Sequence, residues 1–257
     1  APVAGTGDIT FYGAFIEAGY PFGQNFSDYF SSTTLIASEF IPPSLSYVPD
    51  DNFENYLEAN GMGDGVALND LVLTSNINTV ANLDVNSNNI ADLTGIEDFS
   101  SLTILNCRSN QLTNLDISNN TILTYLKCDD NQLTNLDVSN NINITELQCD
   151  YNQLTSLDVS GAPALASLVC TDNQLTNLDL SANTSLTDLY CGDNSLTNLD
   201  VSNNTALTIL YCDINQLTSL DVSNNTALTY FGFTYNQLTS LDVSINTNLT
   251  ELYCYSN

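Results

Sequence analysis

Cysteine, aspartate and tyrosine are the residues of this chain whose types and spacing could do chemistry, and the cysteines set the interval. Cys107, Cys128, Cys149, Cys170, Cys191 and Cys212 follow one another by 21 residues, and Cys254 stands two units beyond the last. A disulfide needs side chains that point at one another. Thiols at equal positions on stacked strands point the same way and would join only through off-rotamer torsions. Metal ligation is disfavoured, because the chain has no His and no C-x-x-C pair. The seven thiols therefore read as one inward column of free, small apolar fillers that react only on unfolding, with a bridged or mixed column as the alternative.

Acids recur at the same interval: Asp116, Asp137, Asp158, Asp179, Asp200, Asp221 and Asp242, each two residues before a serine, Ser118 through Ser244. Seven like charges at such spacing repel, so something offsets them. Capping of local N–H groups in Asx turns is one account, and calcium bridging along the row is the other. With no histidine and the thiols inside, a glycosidase-like pair of acids is the one catalytic chemistry left. Evenly spaced acids on an open sheet lack the apolar pocket that would separate their pKa values, so the chain reads as non-enzymatic, with calcium as the sole cofactor candidate.

The elements that position these residues follow from the unit L-T-x-L-x-C-x-x-N-Q-L-T-x-L-D-V-S-x-N-T-x. Its first position falls at Val80, Leu102, Leu123, Ile144, Leu165, Leu186, Leu207, Leu228 and Leu249, one interval of 22 and then intervals of 21. A fixed period of this kind predicts a solenoid of nine coils. Asparagines at 88, 110, 131, 152, 173, 194, 215, 236 and 257 form a ladder, read as structural. The first half of each coil has the spacing L-x-x-L-x-L-x-x-N-x-L, as in Leu123, Leu126, Cys128, Asn131 and Leu133, with cysteine at the third leucine.

On those residues the chain resembles leucine-rich-repeat proteins. Val80, Leu83, Val85, Asn88, Ile90, Leu93 and Ile96 resemble the 22-residue unit of internalin-like proteins, and the later coils are similar to the shorter variant of secreted Bacteroidota proteins. The resemblance implies an α/β-type, mostly β, right-handed leucine-rich-repeat solenoid with a parallel concave sheet, an N-terminal helical cap and an extra N-terminal arm. The chain then divides into an arm (1–46), a cap (47–79) and the repeats (80–257). In the arm, Ile9, Phe11, Phe15 and Ile16 form an apolar strand candidate. In the cap, Pro49 to Glu58 reads as a helix with Asp50 or Asp51 as N-cap.

Composition points outside the cell. The chain opens Ala1-Pro2 and holds no apolar run long enough to span a bilayer, so it reads as a processed, secreted or cell-surface product. Thirty acids face one lysine, Lys127, and one arginine, Arg108, for a net charge of -28. Nucleic acid and anionic membranes are poor partners for such a chain. Cations, neutral glycans and basic protein surfaces are compatible with it, so the expected partner is a protein or glycan ligand.

Counting Leu123 as position one, the third, fifth and seventh residues of each coil point outward and the eighth stands at the rim. Candidate ligand-binding residues there are Tyr125, Asp129, Asp150, Tyr151, Asp172, Asp188, Tyr190, Asp193, Tyr211, Asp213, Tyr230, Gly232, Tyr235, Tyr253 and Tyr255. Tyrosine offers amphipathic contact area at little entropic cost, and cross-strand stacking is the competing reason for its presence. Phe231-Gly232-Phe233 breaks the unit, and Gly232, between Tyr211 and Tyr253, could floor a slot for a sugar or aromatic ring, a repacked core being the alternative. The expected function is recognition or adhesion through the concave face. A second reading is a filament subunit, in which Ile9, Phe11, Phe15 and Ile16 meet Leu249 and Leu252 of another copy head to tail.

Overall fold

The computed structural model describes residues 43–257, so the strand candidate at Ile9 to Ile16 lies outside the described residues. Strands β1 (Leu45–Tyr47) and β2 (Leu71–Leu73) pair antiparallel, Ser46 against Val72, on either side of helix α1 (Asp51–Ala59). Leu45 and Ser46, grouped with the arm by sequence, thus belong to the cap strand. A second helix, α2, is one turn long (Thr74–Ile77).

Of the two N-cap candidates, Asp50 is the one that caps α1. Its Oδ1 accepts from the amides of Asn52 (2.9 Å) and Phe53 (3.0 Å), and its Oδ2 accepts from Ala91 (2.8 Å) and Asp92 (3.1 Å) in the first coil. One carboxylate therefore both starts the helix and ties it to the solenoid. Phe53 and Leu57 are fully buried, and the Phe53 ring lies 6.3 Å from that of Phe99. Glu54 is buried too, its two oxygens accepting the amides of Asn69 and Asp70 at 3.0 Å each. Gly95 is needed where the first coil meets β1: its φ is 104°, and a Cβ there would stand 2.9 Å from the Tyr47 carbonyl oxygen.

Nine parallel strands follow, β3 (Asn82–Asp84), β4 (Ile104–Asn106), β5 (Tyr125–Lys127), β6 (Glu146–Gln148), β7 (Ser167–Val169), β8 (Asp188–Tyr190), β9 (Ile209–Tyr211), β10 (Tyr230–Gly232) and β11 (Glu251–Tyr253). Each pairs with its sequence neighbours, Leu126 opposite Leu147 and Leu147 opposite Leu168. Among the described residues the return half of the coils holds no helix beyond a 3-10 turn at Ile96–Asp98, so the fold is a parallel-strand leucine-rich-repeat solenoid, mostly β. Six apolar columns fill it, as Ile144, Leu147, Cys149, Leu154, Leu157 and Val159 do in one coil. Each leucine removed from water contributes roughly 1.5–3 kcal/mol before chain entropy is counted.

The asparagine ladder is structural in detail. Asn131 Nδ2 donates to the carbonyls of Cys107 (3.0 Å), Cys128 (3.1 Å) and Asp129 (3.2 Å), while its Oδ1 accepts from the Leu112 amide (3.0 Å). Sequence reading missed a second ladder on the opposite side: Asn141 Nδ2 donates to Ile117 O and Asn120 O at 3.0 Å, and Asn183, Asn204, Asn225 and Asn246 repeat the pattern in full burial. Threonine hydroxyls make a third, Thr124 Oγ1 donating to Thr103 O at 3.0 Å.

Cys107, Cys128, Cys149, Cys170, Cys191 and Cys212 are free and buried, and burial pushes the thiols up, that of Cys191 to about 12. The expectation of seven buried thiols needs one correction. Cys254 is exposed, because β11 has a paired strand on one side only.

Two measurements test this packing. Native protein is expected to take up one maleimide, on Cys254, and six more after denaturation, with no disulfide in the intact mass; several fast native thiols would contradict the column. Asp50→Ala is expected to cost about 2 kcal/mol in urea unfolding, the upper end for a lost cap, because it also releases the first coil.

Candidate ligand-binding face

A three-residue strand with its middle side chain buried leaves positions three and five of each coil on the outer sheet face. The chain then turns sharply. Position eight is left-handed throughout the repeats: Asp130, Tyr151, Asp172, Asp193, Ile214 and Tyr235 have φ between 47° and 54°. An isoleucine there is conformationally costly, and nothing in its own sequence announces it.

Across β6 to β10 this face holds an open groove of about 490 Å³. Tyr151, Tyr190, Tyr211 and Tyr230 supply its rings, Val169, Ile209 and Thr171 its remaining wall, and Asp150 its carboxylate. Ring centroids lie 6.2 Å apart for Tyr190 and Tyr211, 6.3 Å for Tyr211 and Tyr230, and 5.4 Å for Tyr230 and Tyr253. These separations fit weakly coupled neighbours.

Tyr211 is the fixed member of the row. A Cβ on Gly192 would stand 3.1 Å from Tyr211 Cε1, and one on Gly232 would stand 3.1 Å from its Cδ2. Two glycines, one on each coil flanking that of Tyr211, thus make room for one ring. The slot expected above Gly232 is filled by Tyr211 itself, and Phe231 and Phe233, 4.8 Å apart, are repacked core. Asp213, as hydrogen-bond acceptor and as charge, pushes the Tyr211 hydroxyl up, burial adding to the effect.

The structure divides the remaining candidates. Asp129 and Asp213 turn out to be buried: Asp129 Oδ2 meets Arg108 Nε at 2.9 Å, and Asp213 Oδ1 accepts from the Thr234 amide. At these two coils position seven is closed in by its neighbours, whereas Asp150 and Thr171 at the same position are only half-buried, a difference that the two-residue alternation of a strand does not convey. Gly232 is buried as well. Asp188 accepts from Thr187 Oγ1 at 2.7 Å, and Asp172 raises the Tyr151 hydroxyl by its charge. Asp193 is half-buried and pushed up by that burial. Tyr125 stands apart beneath Lys127, and Tyr235 and Tyr255 pack edge to face at 5.5 Å, away from the groove. Tyr253 donates to Glu251 Oε2 at 2.9 Å. Of the assembly candidates, Leu249 is half-buried and Leu252 exposed on β11. Val169, Thr171 and Ile209 were missed as groove residues; they share the outward columns but lack the polar or aromatic chemistry that drew notice to the others.

Asp116, Asp137 and their row form Asx turns. Ser118 N donates to Asp116 Oδ1 at 3.0 Å and Ser139 N to Asp137 Oδ1 at 2.8 Å, and hydrogen bonds from these serines hold the carboxyls below their usual range. Among the described residues Asp51, Glu54 and Asp70 bring carboxylate oxygens within 4.8 Å of one another, but Glu54 there is already engaged by two amides.

No family model matches the chain. Internalin J of Listeria monocytogenes serotype 4b (strain F2365) is 45% identical over 75 residues, 29% of this chain and 8% of that protein. The solved functional domain of InlJ from Listeria monocytogenes, which includes a cysteine ladder, is 36% identical, with 83% of this chain matching 57% of that one at a TM-score of 0.53. The chain is a leucine-rich-repeat protein similar to internalins. Internalin C2 of the same species shares the fold, at 24% identity and a TM-score of 0.71 over 84% of this chain and 99% of that one. This internalin-like chain thus spans little more than half of the InlJ domain it matches. No helix among its described residues is long and apolar enough to cross a membrane.

Burial and the neighbouring Asp129 charge push Asp150 up to about 6. Its folded value lies above its unfolded one, so the ionised form is a cost above that pH, and stability from this group rises as pH falls through 6. Asp150→Asn is expected to stabilise the fold by roughly 1 kcal/mol at about pH 7.5, solvent screening reducing the full effect, and by less near pH 5. Urea midpoints at the two pH values check this; no gain at the higher pH would contradict it.

Proposed function

We propose that this internalin-like chain is a non-enzymatic recognition protein of the cell exterior, binding a protein or glycan ligand through the concave sheet face. The observation that carries the reading is the groove over β6 to β10, where Tyr190, Tyr211 and Tyr230 present ring faces beside a carboxylate on a rigid sheet. Rings already fixed lose little entropy on binding, and fixed aromatic surface is what contact energy concentrates on. The likeness to internalins supports a binding role in place of catalysis.

The double variant Tyr190→Ala/Tyr230→Ala tests the reading and spares the clasped Tyr211. Labelled full-length protein would be applied to arrays of glycans and of basic, neutral and acidic peptides. Wild-type spots are expected to fade at least about tenfold in the variant, with the thermal transition nearly unchanged. An identical pattern from both proteins would place binding elsewhere.

A further inference from the structure

The sheet face already holds cations in two ways, using its own residues. Arg108 Nε meets Asp129 Oδ2 at 2.9 Å, and Lys127 Nζ lies 5.5 Å over the centroid of Tyr125. These are the whole supply of arginine and lysine in the chain. One coil beyond Asp129, in the same column, Asp150 is half-buried with rings beside it and makes no ion pair, the Arg108 charge reaching it only from beyond hydrogen-bond distance. Asp129, its neighbour on one side, is taken up by Arg108, while Asp172 and Asp193 add further negative charge along the rim.

A half-buried carboxylate without a counter-ion is unfavourable, and a ligand that covered it without a positive charge would deepen the cost. An anionic ligand would meet repulsion. A cation, by contrast, gains from Asp150 and from the π-faces of the groove tyrosines together. Guanidinium suits both better than ammonium: it is planar, stacks on rings, pairs with a carboxylate through two parallel bonds and is more weakly held by water.

We infer that the groove receives an arginine side chain from a basic segment of a protein partner, its guanidinium on Asp150 and its stem along Val169, Tyr190 and Tyr211. The inference rests on the reading of this face as a recognition surface and narrows it to one ligand chemistry. The two intramolecular contacts at β4 and β5 are the same interactions, satisfied from within; at β6 to β9 the partner supplies the cation.

The experiment uses the 257-residue chain and fluorescence anisotropy with a labelled Gly-Ser-Arg-Gly-Arg-Gly-Ser peptide and its citrulline twin, which keeps shape and loses charge. Salt at about 0.15 M screens the general acidic field. The arginine peptide is expected to bind at least about tenfold more tightly than the citrulline one, and Asp150→Asn to remove most of that difference. Asp200→Asn deletes the same charge in the Asx-turn row and is expected to change affinity less than about twofold. Equal binding of the two peptides, no binding of either, or equal losses from Asp150→Asn and Asp200→Asn would each overturn the arginine site. If the arginine arm fails while Tyr190→Ala/Tyr230→Ala still erases array binding, the recognition face stands and its ligand is not arginine; failure of both removes both.

Discussion

Each coil leaves its strand with carbonyls that the short β-ladder cannot reach, and one asparagine per coil supplies the missing donors. Asn152 shows the arrangement: Nδ2 reaches Cys128 O in the preceding coil and Cys149 O and Asp150 O in its own, and Oδ1 takes the Leu133 amide. Buried backbone groups without partners cost about 1–3 kcal/mol each, so a ladder that meets several per coil decides whether the stack forms. The second ladder does the same at the far corner with one concession. Asn120, Asn141, Asn183, Asn204, Asn225 and Asn246 keep Nδ2 bonded and leave Oδ1 without a protein partner, and Ala162 takes this place in one coil. The whole core depends on these two seams, since the apolar columns between them can align only when the coils are in register.

With register fixed from within, the outer columns are free to carry other chemistry. Position five reads Lys127, Gln148, Val169, Tyr190, Tyr211 and Gly232 along consecutive strands whose inner neighbours hardly change. Rigidity of the sheet is what turns such a list into a surface. Tyr211 is held because Gly192 and Gly232 open a space on both sides of its strand, and Tyr190 and Tyr230 then range themselves against it. Charge follows the same division of labour. In the Asx-turn row, serine hydrogen bonds outweigh the repulsion between coils, whereas at Asp150 burial and a neighbouring acid prevail and the carboxyl is strained electrostatically. A carboxylate in the second state would gain more from a nearby cation than one in the first.

The 21-residue period, the position of the strand and the identity of the inward columns were all legible in the sequence, because a side chain's place in a coil depends on spacing alone. An N-cap at Asp50 or Asp51 and a ladder position for Asn131 followed from local hydrogen-bonding capacity, and the structure chose Asp50. What tertiary structure decided is everything that depends on the neighbouring coil. Asp129 and Asp213 looked outward by alternation, yet in their coils position seven is buried against the neighbouring coils, so one pairs with Arg108 and the other with the Thr234 amide. Gly232 suggested an open slot, which the ring of Tyr211 from the coil before occupies. Cys254 matched its column by spacing and is exposed on β11, the edge strand of the described sheet. A repeat fixes where each residue stands within its own turn; which residues share a surface, and which of them is left wanting a partner, is settled only when unlike turns are stacked.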